Sequence, residues 1–139
     1  MRTHRGLERD ERGQSITPFV IVIMSALIMT AGLVIDGGQK VAAASRAEVA
    51  ASGASRAAGN AAATKELAGT DPAGAAVLAA RAYLAGQPGV QGSVSVAAGV
   101  VSVRTRAAER TIFLSMIGID SVVGTGSAEA NIVATGASR

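Results

Sequence analysis

The stretch ITPFVIVIMSALIMTAGLVI, residues 16–35, contains no charged residue. Eleven of its twenty residues are Ile, Val, Leu or Phe, at positions 16, 19–23, 27, 28 and 33–35. On a membrane-insertion scale each of these contributes roughly −0.3 to −0.6 kcal/mol at a helix centre, a sum of about −3 to −6 kcal/mol. Thr17, Pro18, Ser25, Thr30 and Gly32 subtract from that sum without cancelling it. Twenty helical residues rise roughly 30 Å, the thickness of a bilayer core. The stretch therefore predicts a membrane-spanning helix. Pro18 fits its first turn, where a missing N–H has no helical partner to lose.

What flanks the run orients it. Residues 1–15, MRTHRGLERDERGQS, carry Arg2, Arg5, Arg9 and Arg12, with Glu8, Asp10 and Glu11 interleaved. On the other side the next bases are Lys40, Arg46 and Arg56. Lys and Arg set orientation and acids contribute little, so residues 1–15 are expected in the cytoplasm and 36–139 outside. A rival reading is a cleaved secretory signal, with Ala42-Ala43-Ala44 before Ser45 as an A-x-A site. The apolar run exceeds the roughly 7–15 residues of a signal core, and Asp36 and Lys40 intervene. A retained anchor is the preferred reading. The expected organisation is a polar head over 1–15, an anchor over 16–35 and an exported α+β domain over 36–139.

Beyond the anchor, residues 39–67 read QKVAAASRAEVAASGASRAAGNAAATKEL, with no proline. This is strong helix composition. Joined to the anchor it predicts one helix of about 50 residues, roughly 75–80 Å long. Gly37-Gly38 is the candidate hinge within it. Ala43, Ala47, Ala50, Ala54, Ala57, Ala58 and Ala61 recur at helical spacing and form a face that permits close backbone approach. Two occupants are open: the domain's own second helix, which is favoured, or another subunit. In the second case Ala47, Ala50, Ala54 and Ala58 are the candidate assembly face. Asp36 is either a boundary charge at the lipid head groups or an assembly contact to a basic residue of a neighbouring subunit.

Gly69 closes the long helix, and Asp71-Pro72 supplies an N-cap and first-position proline for a second helix over 72–85. Gly86, Pro88 and Gly89 end that helix. The period then changes. Val94 and Val96, and Val101 and Val103, alternate with polar residues on either side of Ala97-Ala98-Gly99, predicting a hairpin. Glu109–Ile117 reads as a short helix with Ile112, Phe113, Met116 and Ile117 on one side. Residues 121–133 alternate again, with Gly124, Gly126, Ala128 and Ala130 on a small-residue face that would let a helix lie close. The prediction is α+β: a transmembrane helix continuing into a long Ala-rich helix, a second helix, then a small three-stranded antiparallel sheet with a short helix.

Composition narrows the function. Apolar residues make up 49% of the 139, but aromatics only 2%, so any soluble core is thin. Cysteine is absent, which removes disulfides and thiolate chemistry. The net charge is +3, with dispersed bases and no Trp, which argues against a nucleic-acid platform. His4 is the single histidine and stands in the polar head without a ligand cluster. No paired carboxylates, nucleophile elbow, P-loop or dinucleotide fingerprint is present, and Gly124-Thr125-Gly126 lacks a phosphate loop's strand-to-helix context. Neither catalysis, a cofactor nor a small-molecule substrate is expected.

Glu11-Arg12-Gly13-Gln14-Ser15, an apolar span, Ala31-Gly32-Leu33-Val34-Ile35-Asp36-Gly37-Gly38 and an Ala-rich helix, in this order, resemble the TadE/TadG-like proteins. These are pseudopilin-like components of Tad (Flp, type IVb) pilus assembly and secretion systems. The likeness covers roughly residues 11–65. It implies an exported, membrane-anchored, minor pilin-like accessory subunit with other pilus or secretion subunits as partners. It also implies a candidate prepilin-peptidase site between Gly13 and Gln14. The family's Glu five residues after the cut is replaced here by Pro18, which favours a non-polymerising TadG-like anchor over a major pilin. The competing class is a membrane-tethered extracytoplasmic binding module.

Overall fold

In the computed structural model, which describes residues 16–132, one helix runs from the apolar stretch into the head without a break. This helix, α1 (Ile16–Leu67), has 52 residues and is roughly 78 Å long. At the candidate hinge Gly37-Gly38 the helix is continuous, and both glycines are exposed. The helix carries through them at a propensity cost of about 1 kcal/mol each. Gly69, at φ +65°, ends the helix region, and its N–H donates to Glu66 O at 3.0 Å.

The second helix, α2 (Pro72–Ala85), starts as expected, with the Asp71 carboxylate accepting from the Ala73 N–H at 3.0 Å and Pro72 at the first turn. Three strands follow: β1 (Val90–Ala97), β2 (Val100–Arg110) and β3 (Ser121–Asn131), antiparallel in the order β1-β2-β3. The hairpin turns on Ala98 and Gly99, both at positive φ (49° and 76°), between the paired Ala97 and Val100. That is the two-residue turn whose twist suits a hairpin.

Strand β2 is much longer than the alternation of Val101 and Val103 suggests. Val101, Val103, Thr105 and Ala107 alternate inward over its length. Glu109 and Arg110, expected in a short helix, instead pair with Val122 and Ser121. Only Leu114–Ile117 is helical, as a single 3-10 turn. A nine-residue helix has too few bonds to offset its nucleation, and the extended sheet register takes its first two residues.

The core is made of small side chains, as the composition implies. Ala50, Ala51, Ala54, Ala58 and Ala62 of α1 meet Ala76, Ala80 and Leu84 of α2 and Val101 and Val103 of β2. Among the described residues, Val101 and Val103 are the largest fully buried side chains. The buried line on α1 passes through Ala51 and Ala62, whereas Ala57 and Ala61 are only half-buried, because α1 is covered by α2 and the sheet together. Strand β3 lies directly on α1. A Cβ on Gly124 would collide with the backbone of Ala43 and Ala44, and one on Gly126 with that of Ala47 and Glu48. Ala130 faces Gly59. The strand and the helix thus ascend side by side, each covering roughly 20 Å between these contacts. The β1–β2 turn is at the far end, and the β2–β3 connection is at the anchor end.

Candidate functional site

The junction between anchor and head is built on Asp36. Its carboxylate is 2% exposed. Oδ1 accepts the N–H of Ile112 at 2.8 Å, and Oδ2 accepts those of Phe113 and Leu114 at 3.0 and 2.6 Å. Burial pushes this carboxyl up, and the N–H groups of Ile112, Leu114 and Phe113 together outweigh it, holding it below its ordinary value. These are charge-assisted bonds across 76 to 78 residues of chain. The partners of Asp36 are the chain's own backbone amides, a contact that neither sequence reading of this residue included.

The β2–β3 connection folds to present those amides. The Thr111 N–H donates to Asp120 O at 3.1 Å, and the Thr111 hydroxyl donates to Ile119 O, closing the loop at its base. Inside it, Met116 donates to Phe113 O, Gly118 to Ser115 O and Ile119 to Leu114 O, at 3.0 to 3.1 Å. The Phe113 ring then sits on Gly32, where a Cβ would come within 2.6 Å of it. Between this loop and α1 lies an apolar groove of about 460 Å³ that extends from Asp36 to Ser25.

Three further ties hold α1 to the sheet above the junction. Lys40 Nζ donates to Val123 O. The buried Thr105 hydroxyl donates to Ala47 O at 2.6 Å. Arg46 pairs with Glu109 at 2.6 Å across partly exposed surface. Sequence reasoning missed Ile112–Leu114, Thr105 and Glu109 as partners of α1, because each contact joins segments more than fifty residues apart.

The four alanines of the candidate assembly face, Ala47, Ala50, Ala54 and Ala58, are all buried by the chain itself. Ala47 lies under Gly126 and Thr105. Ala50, Ala54 and Ala58 are in the core with α2 and β2. Tyr83 of α2 lies against Gly53, in the same close approach. The candidate processing site at Gly13 and Gln14 lies outside the described residues. Among the described residues, no group of three or more His, Cys, Asp or Glu side chains is placed to hold a metal.

The first part of α1 is open to the surroundings. Ile16, Phe19, Val22, Leu27, Met29 and Leu33 are all more than half exposed. The helix is long and apolar enough to cross a membrane, which suggests membrane anchoring.

A protein-family model described as Putative Flp pilus-assembly TadE/G-like matches residues 13–63. The match takes in the charge-free run, Asp36 and the buried alanine face, and it supports the family resemblance carried by the sequence. No curated protein and no solved structure matches the chain.

Proposed function

We propose, from the TadE/G-like match over residues 13–63, that this chain is a membrane-anchored accessory subunit of a Tad/Flp pilus assembly or secretion apparatus. Its role is minor pilin-like and structural rather than catalytic. Residues 1–15 stand in the cytoplasm, 16–35 span the membrane, and 36–139 form the exported head. The observation that carries this reading is one continuous 52-residue helix with an uncovered apolar first part and a head folded onto its second part. Such a helix transmits position from the membrane to the head without a flexible joint. Its uncovered surface suits lipid and the apolar helices of partner subunits.

Deletion of the gene in its native host, with complementation by the full chain, tests the assignment. Loss of surface pili or of Tad-dependent secretion, restored by the full chain, is the expected result. Intact piliation and secretion in the deletion strain would overturn it.

A further inference from the structure

We propose that the β2–β3 loop, residues 111–120, is itself inserted into the bilayer on the head side of the membrane, with lipid acyl chains as its partner. This rests on the reading of residues 16–35 as the membrane span.

The loop carries its own charge-free sequence, TIFLSMIGI, from Thr111 to Ile119, bounded by Arg110 and Asp120. Its large apolar side chains point outward: Met116 is 82% and Ile117 74% exposed, and Ile112 and Ile119 are also exposed. An isolated exposed apolar residue is ordinary; four within eight positions of one loop are a patch.

The position of the patch identifies what covers it. Phe113 is seated on Gly32, inside the charge-free run of α1. The groove beneath the loop continues to Ser25, eleven residues and roughly 16 Å below Asp36 along the helix. The charge-free segments of helix and loop therefore end at one level, marked by Asp36 on one and by Arg110 and Asp120 on the other. A bilayer deep enough to cover Leu33 and Met29 reaches Met116 and Ile117 as well. Interfacial elements commonly enter the acyl boundary by about 5–10 Å.

Irregular backbone is excluded from lipid unless its polar groups are satisfied. Here they largely are. Thr111, Met116, Gly118 and Ile119 donate within the loop, and Ile112, Phe113 and Leu114 donate to Asp36. The Ser115 hydroxyl donates to Ile112 O at 2.7 Å, and on α1 the Ser25 and Thr30 hydroxyls donate to Ile21 O and Ala26 O. The carboxylate of Asp36 thereby supplies the acceptors that let the loop leave water.

The absence of cysteine makes the test direct. Met116→Cys, Leu27→Cys and Ser95→Cys are each labelled with a polarity-sensitive fluorophore. The full chain is then placed in phosphatidylcholine–phosphatidylglycerol vesicles. The expected result is that labels at 116 and 27 are blue-shifted and quenched by brominated lipid, whereas the label at 95 is quenched by aqueous iodide. Iodide quenching at 116 with lipid quenching at 27 would overturn the loop insertion and leave the anchor standing. Iodide quenching at both would remove the anchor reading and this proposal with it. Shielding of 116 from both quenchers, with disulfide formation between unlabelled Met116→Cys chains, would assign the loop to a second copy and overturn the lipid assignment. Adding Asp36→Asn should abolish lipid quenching at 116 and keep it at 27; unchanged quenching at 116 would overturn the part assigned to the carboxylate.

Discussion

Among the described residues, Asp36 makes more long-range hydrogen bonds than any other side chain. A carboxylate offers two oxygens with room for three donors, whereas an amide offers one acceptor oxygen and adds two donors. Asp36→Asn is therefore expected to release at least one of the Ile112, Phe113 and Leu114 amides and to expose the loop to limited proteolysis. Unchanged cleavage kinetics in the variant would contradict that. The pH dependence follows from the direction of the shift. A carboxyl held below its ordinary value in the folded state contributes stability that is present above the ordinary carboxylate range. That contribution is lost as pH falls through the depressed value. Loop protection measured by hydrogen exchange should thus be flat through neutral and mildly acidic pH and fall only below the ordinary Asp range. Gly124 is the second decisive position, for a steric reason. A Cβ there meets the backbone of α1 rather than a side chain that could rotate away. Gly124→Ala should lower stability by about 1–3 kcal/mol, read from denaturant unfolding in detergent micelles. Equal stability would mean that β3 lies farther from α1 than the structure places it.

At the scale of elements, the hairpin turn offers a gain rather than a loss. Ala98 holds φ 49°, a left-handed conformation that costs an L-residue with a Cβ roughly 1–2 kcal/mol. Ala98→Gly relieves the Cβ clash but loosens the unfolded chain, while Ala98→Asn suits the same turn without that entropy loss. Ala98→Asn should raise the melting temperature, and a lower one would argue against the turn type. The helix–helix contact has the opposite sign. Ala54 is fully buried between α1 and its neighbours, so Ala54→Leu should destabilise by about 1–3 kcal/mol in the same unfolding assay. Much of this architecture was legible from residue patterns: the unbroken run of helix formers, the Asp71-Pro72 start of α2, the alternating valines and the small-residue face of β3. Local signals failed where tertiary pairing decided the outcome. Glu109 and Arg110 carry no strand signal of their own and are extended because Ser121 and Val122 lie opposite them. The loop of residues 111–120 shows apolar residues at helix-like spacing, yet its amides are claimed by a carboxylate 76 residues away. Nothing near position 112 in sequence announces Asp36.

At the scale of the whole molecule, the head is fastened to the helix along its length: by Asp36 at the anchor end, by Lys40, Thr105 and Arg46 above it, and by the alanine core beyond. This arrangement bears on whether the anchor is retained. Cleavage after Ala44 would need an extended, accessible segment, but Ala43 is fully buried and the Ala43–Ala44 backbone lies against Gly124 in mid-helix. A cut there would also remove Asp36 and Lys40. The amides of Ile112, Phe113 and Leu114 would lose their charged acceptor, and a hydrogen bond to a charged group contributes about 1.5–3 kcal/mol. Folding of the head and loss of the anchor at Ala44 are therefore opposed. The expectation is that mature protein extracted from membranes retains residues 16–35, with the bias of Arg in residues 1–15 keeping that end inside and Gly69 outside. Intact mass of the extracted protein, together with reporter fusions at Arg12 and Gly69, measures both. A mature N-terminus at Ser45 would mean that the head folds without its junction. An inactive exported-phase reporter at Gly69 would reverse the orientation and put the head in the cytoplasm.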